Sequence, residues 1–217
     1  MQQETPLTQA DSIKLITEMI NRTKQSFHET GFGPIMWGSI IMLCSLYTFF
    51  DLRYSLRWVG DVWILTLLAI VPQVIYDIKR NKKKLAKRTE DIMLSYVWGA
   101  FGISIFMLIL WQNMLSAELV KGIPNYSNVR GTFSLFDHST TPQLILYAIP
   151  TFITGGVMKF KPMLLGGILF WVFAIISIFT KLPADMLLLA LGALCGWLIP
   201  GLILNATYRK VKAAAHV

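Results

Sequence analysis

Ionisable side chains are scarce in this chain, and those most useful for chemistry are the scarcest. Only 15% of its 217 residues are charged, against about 25% in a soluble domain. Histidine occurs three times, at His28, His138 and His216, and none of the three lies in an apolar stretch. There is no HExxH, no phosphate-binding glycine loop, no GxSxG and no carboxylate pair at catalytic spacing. That argues against an enzyme, and no cofactor is expected. The two cysteines, Cys44 and Cys195, form no CxxC pair and have no companion ligands, so no metal site is expected and both read as buried free thiols. Proton-coupled transport is disfavoured too, because it needs a titratable group deep in the membrane. The first 32 residues lack the apolar core of a cleaved signal peptide.

Apolar residues are abundant, at 54%. They gather into six stretches, about Gly33 to Phe50, Trp58 to Ile78, Ile92 to Leu115, Pro142 to Met158, Pro162 to Phe179 and Met186 to Leu204. A helix needs about 17–25 such residues to cross roughly 30 Å of hydrocarbon. The pattern predicts an all-α polytopic membrane bundle, six transmembrane helices preceded by one amphipathic helix. Residues 1–32 form a cytosolic segment, 33–208 the membrane domain and 209–217 a short cytosolic tail.

Charge sets the orientation. If the connections alternate sides, fifteen of the twenty Lys and Arg fall on one side and five on the other. Short loops rich in Lys and Arg stay in the cytosol, so both termini are expected there. The densest run is Lys79, Arg80, Lys82, Lys83, Lys84, Lys87 and Arg88, seven charges in ten residues. Such a run contacts anionic lipid headgroups or docks an acidic cytosolic partner. The net charge of +8 is explained by these edges, and nucleic acid is not the expected partner. Trp58, Trp63 and Trp111 fall near the expected outer interface, and the longest outer segment is about Ser116 to Thr141.

Before the first stretch, residues from about Gln9 to Phe27 carry Ile13, Ile16, Met19, Ile20 and Phe27 at helical spacing, with Thr8 and Asp11 as a capping box. The segment is too polar to span. It suits the membrane interface, a partner, or another copy of the chain. The even stretches each hold a proline, Pro72, Pro150 and Pro200. The first basic residue follows 7, 9 and 9 positions later. The odd stretches carry small residues at Gly38, Gly99 and Gly167. This predicts three helical hairpins with glycines and prolines at one depth, where backbones approach closely and helices kink. Gly192 and Gly196 form a small-xxx-small pair suited to a tight helix contact. Gln73, beside Pro72, is the deepest large polar side chain. Asp61 reads as an interfacial acid reaching water.

Several segments resemble a family of uncharacterised bacterial inner-membrane proteins. These are Leu15-Ile16-Thr17-Glu18-Met19-Ile20, Ser26-Phe27-His28-Glu29-Thr30-Gly31, Trp37-Gly38-Ser39, Lys161-Pro162-Met163-Leu164, and the run from Trp197-Leu198-Ile199-Pro200 to Leu204. The resemblance implies no activity and carries over no catalytic residue. In architecture the chain is also similar to membrane subunits of ABC-2 type exporters, with six spans, a pre-span helix and a basic loop between the second and third. It departs from them in the short connection Thr180 to Asp185. Two functions are therefore expected in order: a non-enzymatic membrane protein acting through partners, or a homo-oligomer; and, as the alternative, the permease subunit of an exporter.

Overall fold

The computed structural model describes residues 30–55, 60–83, 89–116 and 139–214. The amphipathic segment, Lys84 to Arg88 and most of the long outer connection lie outside the described residues. Within them the chain is helical, with no strand. The helices are α1 (Phe32–Tyr54), α2 (Ile64–Lys83), α3 (Thr89–Ser116), α4 (Thr140–Val157) and α5 (Lys161–Ser177). The last is a continuous rod in which α6 (Leu182–Ala193) passes through a π turn (Leu194–Leu198) into α7 (Ile199–Ala214).

Three of these six helices are long and apolar enough to cross a membrane: α1, α3 over Thr89–Asn113, and the rod over Leu182–Lys210. The six stretches of the sequence all become helices, but the other three fall short for separate reasons. α2 ends in Asp77, Lys79, Arg80, Lys82 and Lys83. α5 is apolar but has only 17 residues. α4 carries threonines and a proline, and Thr140, Pro150, Thr151 and Thr154 point into the protein.

The rod is the centre. α1 packs along one side of it and α5 along another. α4 pairs with α5 in the most extensive helix contact among the described residues. α2 leans on α1 and α3 leans on α4, while among the described residues α2 and α3 make no substantial contact with each other. Lipid tails are as apolar as leucine, so van der Waals fit and hydrogen bonds, more than hydrophobicity, hold such helices together.

The turns follow from local chemistry. Gly31 enters α1 at φ 70°, and a Cβ there would stand 2.4 Å from the Gly201 carbonyl oxygen, so only glycine fits. α4 closes with paired backbone bonds, Phe160 N–H to Gly155 C=O at 2.8 Å and Lys159 N–H to Gly156 C=O at 3.1 Å, with Lys159 in the left-handed region. Pro162 then opens α5 and Pro183 opens α6, first-turn positions where a missing N–H costs nothing.

These turns sort the charges. The start of α1 and the end of α2 meet α7 at one end of the bundle. That end carries exposed Lys79, Lys82, Arg209, Lys210 and Lys212, and the α4–α5 turn adds exposed Lys159 and Lys161. At the opposite end the described basic residues are Arg53 and Lys181.

Candidate functional site

The core is built round Trp197. Its indole N–H donates to the Thr151 hydroxyl at 2.7 Å, and that hydroxyl donates to the Tyr147 carbonyl at 2.6 Å. One turn away, the Trp98 indole donates to Thr154 at 3.0 Å, and Thr154 donates to the Pro150 carbonyl at 2.6 Å. A hydroxyl has one proton and two lone pairs, so each threonine satisfies a tryptophan and its own helix together. Tyr147 and Phe170 close the layer, with ring centroids 4.9 and 5.6 Å from that of Trp197. Both indole N–H groups and both threonine hydroxyls are thus matched inside the protein. The layer holds four helices together and offers no place for a reactant.

The basic end is different. The Asn205 side-chain amide donates to the Thr30 carbonyl at 3.0 Å, tying α7 to the entry of α1. The Thr30 hydroxyl bonds the Tyr76 phenol of α2, and the Phe32 ring stacks on Tyr76 at 4.5 Å. One turn deeper on α2, Gln73 donates to the Asp77 carboxylate at 2.9 Å. The Gln73 carbonyl oxygen is buried without a hydrogen-bond partner, on the side facing Gly33. Between these elements lies an open-sided crevice of about 410 Å³, lined by Thr30, Phe32, Ile35, Met36, Tyr76 and Asn205. Its volume falls within the usual range for small-ligand sites. It is the candidate binding site of the molecule.

At the other end, polar groups pair among themselves. The Thr141 and Ser177 hydroxyls are 2.7 Å apart, and Gln112 donates to the Ser139 carbonyl at 3.0 Å. Asp185 is fully buried in the first turn of α6, with its carboxylate accepting from the Thr180 hydroxyl. The positive end of a helix favours an acid at that place. Asp61 is exposed, as its sequence position implies, and accepts the Trp63 N–H at 3.0 Å to start α2. Cys44 and Cys195 are free thiols.

No protein-family model, curated protein or solved structure matches the chain. The site therefore rests on its own geometry. Among the described residues, no three His, Cys, Asp or Glu side chains gather where a metal would sit.

The residues singled out from the sequence divide. Gly38 faces the backbone of Leu198, where a Cβ would come within 2.6 Å of its nitrogen. Gly167 faces Phe152 in the same manner. Pro150 and Pro200 are fully buried. Gly192 and Gly196 both face the ring of Phe170, so that groove is filled from within the chain. Pro72 is exposed, and nothing stands within 4 Å of a Cβ placed on Gly99. Only the third expected hairpin thus supplies both its glycine and its proline to the packed body; the first supplies Gly38 without Pro72, and the second Pro150 without Gly99. Of the basic run, Lys79 and Lys82 are exposed, Arg80 and Lys83 lie in the last turn of α2, and Lys84, Lys87 and Arg88 lie outside the described residues. Sequence reasoning missed Tyr76, Thr30 and the burial of Asp185. Tyr76 had a signal: it stands three positions after Gln73 and three before Lys79, on one side of α2.

Proposed function

We propose that this chain is a six-span protein of the bacterial inner membrane, with both termini cytosolic, which acts through protein partners rather than by catalysis. The observation behind this reading is the way α2 and α3 are held. They flank the basic run Lys79 to Arg88, each packs chiefly on one neighbour, and among the described residues they make no substantial contact with each other. A basic segment slung between two such helices suits an acidic cytosolic partner that brings them together. The tightly matched core of α1, α4, α5 and the rod supplies the fixed frame. α2, α4 and α5 complete six crossings in this reading because α4 and α5 run beside the spanning rod with their polar side chains turned inward.

Capture of the tagged full chain in mild detergent tests it. A partner recovered with the native chain and lost when Lys82, Lys84 and Lys87 are changed to glutamine is the expected result. Recovery of a nucleotide-binding ATPase would instead favour the permease subunit of an exporter.

A further inference from the structure

The crevice at the basic end has a graded lining. Its floor is apolar, formed by Ile35 and Met36 of α1 with the Phe32 ring above them. A polar layer follows, the Tyr76 phenol and the Asn205 amide. The Asn205 amide uses one N–H on Thr30 and keeps a second N–H and a carbonyl oxygen. Beyond that layer stand cations. Lys79 lies three residues after Tyr76 on α2, and Arg209 four residues after Asn205 on α7. Side chains three and four apart share a helix face, so both cations rise over the crevice about one turn, roughly 5 Å, past the polar layer. Both are exposed. Asp77 does not cancel them: it lies about 200° round the helix from Lys79, with its carboxylate engaged by Gln73. Exposed apolar surface adjoins the crevice at Ile75, beside Tyr76 on α2, and at Leu202, three residues before Asn205 on α7.

An apolar floor, a hydrogen-bonding middle and a cationic rim, opening onto apolar surface, match one kind of ligand. We propose that this crevice binds an anionic phospholipid. An acyl chain lies against Phe32, Ile35 and Met36, the ester region meets Tyr76 and Asn205, and the phosphodiester sits between Lys79 and Arg209. A soluble anion would leave the apolar floor empty, and a neutral lipid would leave the two cations without a counter-charge. The lipid ties α2 to α7 across a gap that Thr30 bridges, by its bonds to Tyr76 and Asn205. The proposal rests on membrane insertion of the chain but not on its protein partners.

Native mass spectrometry of the full chain in mild detergent tests it, with phosphatidylglycerol, phosphatidylcholine and glycerol phosphate offered separately. A basic residue near a membrane surface contributes about 1 kcal/mol toward anionic lipid. With two cations, phosphatidylglycerol should therefore be retained over phosphatidylcholine by about 25-fold, and Lys79→Gln and Arg209→Gln should each remove about fivefold of that preference. Met36→Trp, which fills the floor, should reduce retention of both lipids alike. Both cations are exposed, so the glutamine variants should keep the native thermal midpoint and decide the matter if Met36→Trp misfolds. Equal retention of the two lipids overturns the proposal, as does displacement of phosphatidylglycerol by glycerol phosphate. Loss of a protein partner in the capture experiment leaves these lipid readouts unchanged, so the two readings fail separately.

Discussion

A single ring decides how the rod sits. Phe170 is fully buried between Gly192 and Gly196, and a Cβ on those glycines would stand 2.5 Å from Cε1 and 2.4 Å from Cε2 of the ring. The ring is enclosed and has no room to yield, so an added methyl moves a helix. Overpacking of this sort costs about 1–3 kcal/mol. Gly192→Ala and Gly196→Ala should each lower the thermal midpoint in detergent, and Phe170→Leu should restore part of the loss in a double-mutant cycle. Gly99→Ala, with open space before it, should leave stability unchanged or raise it by up to about 1 kcal/mol. Equal losses at all three glycines would show that Phe170 is not the obstacle. The spacing of Gly192 and Gly196 was legible in the sequence; the occupant of their groove was not. It depends on the register of α5 against the rod, which is set by another glycine contact, Gly166 on Gly196, where a Cβ would come within 2.4 Å of a backbone carbon. The crevice was hidden for a related reason: Thr30 and Asn205 bond across 175 positions of chain.

The prolines show what a helix does with a lost donor. Pro200 has no N–H for the Gly196 carbonyl, and its ring crowds that oxygen. Just before it the rod widens into the π turn, where the Ile199 N–H reaches back to the Leu194 carbonyl. The widening falls at the level of Trp197 and of the Gly166 crossing, so the irregular backbone is enclosed by protein, where a membrane tolerates it. Pro150 is likewise buried, within a helix whose Thr151 and Thr154 hydroxyls bond back to the preceding turn. Pro72 is exposed on α2, outside the packed body of the described residues. The three prolines looked equivalent in sequence because each lies a similar distance from a basic boundary. Distance along a helix fixes depth, whereas facing depends on neighbours that the chain supplies from far away. Pro150→Ala should therefore lower the thermal midpoint, because packing around the ring is lost. Pro72→Ala should leave it unchanged or raise it, because a helix interior disfavours proline by up to about 3 kcal/mol relative to alanine in water. A greater loss at Pro72 than at Pro150 would mean that α2 is seated against something in the native membrane.

On the scale of the whole molecule, two physical signals were readable in advance, and they differ in reach. Apolar stretches marked every helix, because burial in hydrocarbon or in protein demands the same side chains. For that reason they do not separate a lipid-crossing helix from a buried one: α4 spends its threonines on the interior, and its composition alone falls below that of α1, α3 and the rod. Charge asymmetry is the sharper signal. The fold brings Lys79, Lys82 and Arg209 to one end, and leaves Arg53 and Lys181 at the other. Moving many ammonium and guanidinium groups across a membrane is opposed during insertion, so the proposed orientation puts the rich end in the cytosol. Impermeant thiol labelling of intact cells checks this on a chain carrying Cys44→Ala and Cys195→Ala. Lys181→Cys, exposed in the α5–α6 turn, should react from outside, and Lys82→Cys, exposed near the end of α2, should react only after the membrane is opened. Lys159→Cys, exposed in the α4–α5 turn, supplies the count of crossings. Protection like that at Lys82 requires α4 and α5 to cross as a pair, giving six spans. Labelling from outside at Lys159 would leave the α4–α5 hairpin short of the cytosol, with the rod and α1 passing beside it.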